Sequence, residues 1–210
     1  QANLIQKSRE KESYYDVFRN RVMVPILDVS GNVIAFGGRL LEDGKQPKYL
    51  NTSDTPAFRK SKNLFALNFA KDYCSDRMIL CEGYMDVIAL HGAGFSNAVA
   101  TLGTAMTPDH ARMMKRYTKS VVISYDADTA GQNAADKAFR LLGEVGLEAR
   151  LLKVENAKDP DEFIKKFGKD AFRKLLDGSK PQFEFKFDRI AGKYNLNSLE
   201  DKIKASGEVA

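Results

Sequence analysis

Four short apolar segments between residues 78 and 168 alternate with helix-like segments, and this alternation most restricts the possible folds. The segments are MILCE (78–82), FSNAVATL (95–102), SVVISYD (120–126) and EARLLKV (148–154). Parallel strands need a long crossover connection, usually a helix, and helical segments lie between these strands. The pattern predicts an α/β core with a parallel sheet flanked by helices, in a chain that is α+β overall.

The segments on either side of this core have other patterns. Aliphatic runs at 22–28 and 33–41 flank a turn-rich Ser-Gly-Asn link and predict a hairpin, in which Pro25 assigns the first strand to an edge. Residues 1–20 predict a polar helix or connector, and only helical patterns appear from Asp170 onward. We therefore predict a basic amino-terminal subdomain (1–77), the α/β core (78–168) and a helical carboxy-terminal subdomain (169–210).

Composition excludes several classes of protein. The 210 residues are 43% hydrophobic, which is enough for a core, but no apolar run approaches the roughly 18 residues that span a bilayer. Cys74 and Cys81 provide neither a disulfide framework nor a zinc site. Because the chain begins with Gln1, we expect a fragment of a longer cytoplasmic protein with no membrane partner. The net charge of +5 comes from two mildly basic flanks around a slightly acidic middle, which suits a polyanionic ligand.

Five acidic residues follow three of the predicted strands, at the edge of the sheet where open α/β folds bind ligands. They are Glu82, Asp126, Asp128, Asp159 and Asp161. Helix capping could explain them individually, since Thr129 and Gln132 fit a capping box and Asp159 or Asp161 could cap the next helix. Together, however, the carboxylates repel one another, by about 3 kcal/mol for a pair roughly 6 Å apart at an effective dielectric constant of about 20.

A divalent cation would relieve this repulsion, and no lysines visibly neutralise the group in sequence. Carboxylate oxygens select Mg²⁺ or Mn²⁺ over zinc. One Mg²⁺ usually takes one or two carboxylates, so five acids predict two or more ions, an arrangement that supports displacement at phosphorus. We interpret His91 and His110 as surface or packing residues and not as ligands.

A second cluster is basic and lies in or beside a long polar loop at residues 42–63. Its members are Arg39, Lys48, Arg59, Lys60 and Lys62, with Tyr49 among them. Lysine and arginine hold phosphates, and an aromatic face can stack on a base without reading its sequence. A merely solvated loop is the alternative, and the acidic site nearby favours nucleic acid or nucleotide binding.

These segments resemble a known family. EGYMDVIAL (82–90), LGTAMT (102–107), YDADTAGQNAA (125–135) and KDPDEF (158–163) resemble the Toprim domain. RVMVPILDVSGNVIAFGGRLL (21–41) and PKYLNTSDTPAFRKSKNLFAL (47–67) are similar to the basic amino-terminal subdomain of bacterial replicative primases of the DnaG type. The resemblance covers roughly residues 14–190. It implies a DNA-directed RNA polymerase that makes short RNA primers for replication.

The resemblance also implies roles for individual residues. The metal-binding set is Glu82, Asp126, Asp128, Asp159 and Asp161, and the catalytic residues among them are Glu82, Asp126 and Asp128. The nucleotide- and primer-binding set is Arg39, Lys48, Tyr49, Asn51 and Lys60. Glu82 could instead be a general acid or base, as in related Toprim enzymes. We interpret Asp86 as a polar residue in the first turn of the helix that follows Glu82.

The implied partners are a single-stranded DNA template, ribonucleoside triphosphates and the RNA primer. A zinc-binding module and a helicase-docking region are expected in parts of the protein that this chain lacks. Two other functions stay open at this point. A Toprim nuclease or topoisomerase would use the same acids to cleave a phosphodiester, and a non-catalytic module would bind nucleotides through the basic loop alone.

Overall fold

Strands and helices alternate along most of the chain. A computed structural model describes residues 3–8, 12–42, 44, 46–126, 128–154, 156–157, 159–191, 193–194 and 198–209. The strands are β1 (Ile5–Lys7), β2 (Tyr14–Asp16), β3 (Arg21–Leu27), β4 (Val33–Leu40), β5 (Tyr49–Asn51), β6 (Arg77–Cys81), β7 (Ala98–Ala100), β8 (Ser120–Ser124), β9 (Glu148–Leu151) and β10 (Lys180–Pro181). The helices are α1 (Leu67–Ala70), α2 (Tyr84–Gly92), α3 (Pro108–Lys115), α4 (Thr129–Glu144), α5 (Pro160–Asp177), α6 (Gln182–Ala191) and α7 (Leu199–Val209), and a 3₁₀ turn spans Lys60–Lys62.

The core sheet has five strands in the order β10-β9-β8-β6-β7. Strands β6 to β9 pair in parallel, and β10 is antiparallel to β9. The predicted parallel α/β core is therefore confirmed. Because β6 and β8 stay in register up to the pair Cys81 and Ser124, their carboxyl ends lie at the same edge of the sheet.

Buried side chains alternate between the two faces of this sheet, as the pleat of a strand requires. One face packs against α2 and α5 through Ile79, Val122, Leu90 and Phe172. The other face packs against α3 and α4 through Leu80, Ile123, Met114 and Phe139. Helices thus cover both faces, and the ends of the strands remain available for a site.

The amino-terminal part is an antiparallel sheet of β3, β4 and β5. The predicted hairpin is present: it turns at Gly31, whose φ is +90°, and Pro25 lies in the edge strand β3. The prediction of a helix or connector over residues 1–20 is wrong, because β1 and β2 pair there in antiparallel fashion. Every residue of these two strands is exposed, so no alternation of apolar and polar residues marks them in the sequence. Residues 1–2 and 9–11 of this segment lie outside the described residues.

Helix α5 crosses the predicted start of the carboxy-terminal subdomain at residue 169. Its helical geometry is interrupted at Gly168, where φ is 83° and ψ is 167°. After α5, strand β10 joins the core sheet, so the expectation of helices alone from Asp170 onward is wrong at that strand. Helices α6 and α7 follow it.

Both cysteines are free and buried, consistent with a role in packing. Among the described residues, no helix is long and apolar enough to cross a lipid bilayer.

His110 connects α3 to the 3₁₀ turn of the basic loop. Its side chain is buried, and Nδ1 accepts a hydrogen bond from the backbone N–H of Thr107 at 3.3 Å. Nε2 therefore carries the proton and donates to the carbonyl of Lys60 at 2.9 Å. The Thr107 hydroxyl donates to the carbonyl of Ser61 at 2.8 Å. A neutral histidine and Thr107, the N-cap of α3, thus hold the basic turn against the core.

This contact predicts a pH dependence of stability. Burial lowers the pKa of His110 below its ordinary value of 6.5. The unfolded chain then binds the proton more readily than the folded protein. The contribution of neutral His110 to the free energy of unfolding is therefore complete above pH 6.5 and is lost as the pH falls below it. Urea unfolding at about pH 7.5 and about pH 5.5 should show that wild type loses more free energy of unfolding than His110→Gln, which cannot titrate. Equal losses in the two proteins would contradict this origin.

Candidate functional site

The carboxyl ends of β6 and β8 place Glu82 and Asp126 side by side. Glu82 directly follows β6, and Asp126 follows Tyr125 at the end of β8. The backbone N–H of Asp126 donates to Glu82 Oε2 at 3.4 Å. The parallel pairing of the two strands therefore brings these carboxylates together, although they are far apart in sequence.

Two more of the acids begin helices at this edge. Asp128 is the N-cap of α4, and its Oδ1 accepts from the backbone N–H of Gly131 at 2.8 Å. Asp159 is the N-cap of α5 and accepts a backbone N–H of the first turn at 2.8 Å. The alternative of a capping box at Thr129 and Gln132 is wrong, because Asp128 is the cap. Capping occupies one carboxylate oxygen, so the second oxygen of Asp128 and Asp159 can still serve a ligand.

Asp161 has a different environment from the other acids. Its Oδ2 accepts a hydrogen bond from Lys165 Nζ at 2.6 Å. The expectation that no lysine neutralises the group is therefore wrong for Asp161, because residues four apart on a helix are neighbours. Its role as a metal ligand stays a prediction.

A groove of about 400 Å³ lies between the amino-terminal sheet and the strand ends of the core. Its lining residues are Lys48, Tyr49, Asn51, Glu82, Gly83, Tyr84, Met85, Asp86, Thr101, Gly103, Asp126 and Asp159. Six of the residues predicted from sequence are among them, whereas Arg39, Lys60, Asp128 and Asp161 are not. One wall is thus cationic and aromatic, and the other is acidic.

Burial and mutual repulsion raise the pKa values of two carboxyl groups in the groove. Burial, followed by the charge of Asp159 and then those of Asp126 and Glu82, raises the pKa of Asp86 to about 6. The pKa of Glu82 is also raised, by reduced contact with solvent and then by the charges of Asp126 and Asp128. Asp128 is therefore close enough to act on the groove electrostatically, although it does not line it.

Asp86 is a groove residue whose position the sequence analysis missed. Its Oδ2 accepts from the backbone N–H of Gly83 at 3.3 Å, in the first turn of α2. A signal was present in the spacing: Asp86 lies four residues after Glu82, in the helix that begins at the same strand end. A carboxylate in that turn belongs to the same edge as the strand-end acid.

The donor set of the groove fits a hydrated divalent cation better than a complete protein cage. Among the described residues, no group of three or more histidine, cysteine, aspartate or glutamate side chains is arranged to enclose a metal. Mg²⁺ requires less, since it keeps several waters and takes one or two carboxylates. One or two of the four carboxylates that line the groove, Glu82, Asp86, Asp126 and Asp159, could hold such an ion, and a cation there would lower the raised pKa values.

Lys48 and Tyr49 form the opposite wall. Lys48 Nζ lies 5.8 Å from the centroid of the Tyr49 ring, and that ring meets the Tyr84 ring edge-on at a centroid distance of 5.6 Å. Arg21, which the sequence analysis did not single out, donates to the carbonyls of Pro47 at 2.7 Å and Lys48 at 3.3 Å. Arg21 thereby fixes the backbone that presents this wall, a contact between distant segments that no local pattern indicates.

Comparison with known proteins finds the same two blocks. Residues 79–164 match the Toprim-like family, and residues 1–71 match the amino-terminal domain of the DNA primase catalytic core. The solved structure of a DnaG primase catalytic domain bound to single-stranded DNA has a TM-score of 0.85 at 36% identity, over 98% of this chain and 67% of that one. This chain belongs to the DnaG primase family.

Other DnaG primases show the same relationship. The DNA primase of Clostridium acetobutylicum is 48% identical over 202 residues, which are 96% of this chain and 33% of that protein. The crystal structure of the Aquifex aeolicus primase, with its zinc-binding and RNA polymerase domains, has a TM-score of 0.83 at 40% identity, over 97% of this chain and 50% of that one. The chain thus spans about a third of the length of the curated primases it matches. The family and fold class inferred from the sequence are confirmed.

Proposed function

We propose that this chain is the catalytic core of a DNA primase that synthesises short RNA primers on single-stranded DNA. The observation that carries the proposal is the groove, in which Lys48 and Tyr49 face the carboxylates of Glu82 and Asp126. Cations hold phosphates and carboxylates hold divalent ions, and nucleotidyl transfer needs both around one phosphorus. The single-stranded DNA in the structure of the related DnaG catalytic domain supports the choice of template.

In the proposed reaction, the 3′-hydroxyl of a bound ribonucleotide attacks the α-phosphorus of a ribonucleoside triphosphate, and pyrophosphate leaves. Two or more ions, Mg²⁺ or Mn²⁺, would supply activation of the attacking oxygen and charge stabilisation at the leaving oxygen. Glu82, Asp126 and Asp128 would hold and orient these ions, and Asp159 and Asp161 would extend the set. We add Asp86 to this proposed set of metal-binding residues, because its side chain lines the groove.

The basic wall positions the nucleic acid without reading its sequence. Lys48 binds phosphate, and the exposed ring of Tyr49 offers a stacking surface for a base. Arg39 and Lys60 lie outside the lining of the groove and extend the cationic path for the primer. Zinc binding and contact with the replicative helicase are assigned to other segments of a full-length protein that acts at the bacterial replication fork.

Incorporation of labelled ribonucleotides on single-stranded DNA tests the proposal. The full-length protein that contains this chain should make short RNA with Mg²⁺ or Mn²⁺ and none without a divalent ion. Cleavage of the DNA, or a covalent protein–DNA adduct, would instead indicate a Toprim nuclease or topoisomerase. Nucleotide binding with neither chemistry would indicate a non-catalytic module.

A further inference from the structure

A cavity of about 60 Å³ lies behind the acidic wall of the groove, next to the end of β8. Asp126 and Asp159 line both the groove and this cavity, so the two spaces share one wall. The side chains of the described residues do not fill the cavity, and their support for the shared wall comes from its margin, unlike the close packing of the rest of the core. The position of Asp126 therefore depends on the side chains that close this cavity.

Phe185 of α6 closes one side of the cavity. All the other lining residues that the structure describes lie between Tyr125 and Pro160, within the segment that matches the Toprim-like family. The sheet and helices of that segment thus leave this side of the end of β8 uncovered, and a residue of the carboxy-terminal subdomain covers it.

The Phe185 ring is held in place by the core. Its centroid lies 6.4 Å from that of the Phe139 ring of α4, and Phe185 and Tyr125 both pack against the cluster of buried side chains on this face of the sheet. Strand β10, which directly precedes α6, pairs with β9, and Arg150 Nε of β9 donates to the carbonyl of Ser179 at 2.9 Å. The start of α6 is therefore anchored to the core sheet.

The other two phenylalanines of α6, Phe183 and Phe187, lie on the opposite face of the helix. Residues four apart share a face of a helix, whereas residues two apart point in nearly opposite directions. The rings of Phe183 and Phe187 stack at a centroid distance of 6.4 Å and are 66% and 47% exposed. Phe185 is thus the phenylalanine of α6 that reaches the cavity.

We propose that Phe185 is a positioning residue for Asp126, so that α6 completes the site at the strand ends. Its ring closes the cavity that Tyr125 and Asp126 line, and thereby holds the end of β8 where Asp126 also lines the groove. Helix α4 supports the same segment at Gly131, where a Cβ atom would collide with the Asp126 carbonyl oxygen. The inference rests on the proposed function, which assigns ion binding to the Asp126 carboxylate.

The test is Phe185→Ala in the full-length protein, which removes the ring and leaves every carboxylate in place. Without added divalent ions, amide hydrogen exchange should become faster in the peptide 125–131, where the N–H groups of Asp126 and Gly131 donate to side chains of the site. The affinity for Mn²⁺ should fall by about tenfold or more, the usual effect of removing a residue that orients a metal ligand. In RNA synthesis kcat should fall as well, while KM for the template stays unchanged, because the basic wall is intact.

Phe183→Ala is the matched control, because it removes an exposed ring from the same helix, and it should behave as wild type in all of these measurements. Phe185→Leu keeps part of the apolar volume and should show smaller changes of the same kind. If Phe185→Ala does not fold, wild-type exchange at 125–131 in Phe185→Leu would overturn the proposal.

Two results with Phe185→Ala would also overturn it. One is unchanged exchange at 125–131, and the other is faster exchange throughout the core sheet with unchanged Mn²⁺ affinity, which would show that Phe185 serves packing alone. If wild type makes no RNA or binds no Mn²⁺, the proposed function fails, and exchange at 125–131 still decides whether Phe185 holds the end of β8.

Discussion

Replacement of Asp126 by asparagine should reduce RNA synthesis by about a thousandfold or more, equivalent to roughly 4 kcal/mol of transition-state stabilisation. Asp126 lines the groove and lies beside Glu82 at the strand ends. Its contact with Glu82 is made by the backbone N–H, which the substitution leaves in place. Asparagine is nearly isosteric but uncharged, so the fold should persist while the affinity for a divalent ion falls.

Primer synthesis and Mn²⁺ binding measured on the same preparations would check this expectation. Asp109→Asn is a suitable control, because Asp109 is an acid that pairs with Arg112 at 2.6 Å in the first turn of α3, outside the groove lining. The control should keep both activities. Near-wild-type synthesis by Asp126→Asn would show that the reaction does not require this carboxylate.

Substitution of Gly131 by alanine should have the second large effect, on stability and activity together. A Cβ atom at Gly131 would collide with the backbone carbonyl oxygen of Asp126. Helix α4 can therefore approach the end of β8 only with glycine at this position. Overpacking of this kind costs about 1–3 kcal/mol, and the backbone that carries Asp126 has to move to relieve it. We expect at least about a hundredfold loss of RNA synthesis, because misplacement of a reacting group by about 1 Å has that cost.

Gly143 provides a matched control in the same helix. A Cβ atom there meets nothing within 4 Å, so Gly143→Ala should gain up to about 1 kcal/mol from helix propensity. Urea unfolding of both variants, with primer synthesis measured in parallel, separates the effect of the collision at Gly131 from the effect of helix propensity, which both substitutions share. A stabilised and fully active Gly131→Ala protein would contradict the close approach of α4 to Asp126.

Much of the site could be predicted because it follows from strand direction. Parallel strands that end at one edge bring Glu82 and Asp126 together whatever covers the faces of the sheet, so their proximity depends only on recognising β6 and β8. The exposed strands β1 and β2 could not be predicted in this way, because they bury no apolar face that would give an alternating pattern.

The finer assignments depended on contacts that a sequence does not contain. The ion pair of Asp161 with Lys165 and the direction of Asp86 into the groove depend on which way a helix faces. The edge-on contact of Tyr49 with Tyr84 depends on the packing of two segments that are distant along the chain. Each of these follows from tertiary structure, whereas the strand-end acids follow from secondary structure alone.

The N-cap role of Asp128 and Asp159, combined with their proposed role in ion binding, has a consequence for evolution. Both begin a helix as its N-cap, a position where asparagine or serine is about as effective as aspartate. A single substitution at either residue would therefore weaken an enzyme without unfolding it. In this architecture, selection for a folded protein and selection for the proposed chemistry act separately on the same side chain, so a single substitution can give a well-folded but inactive protein.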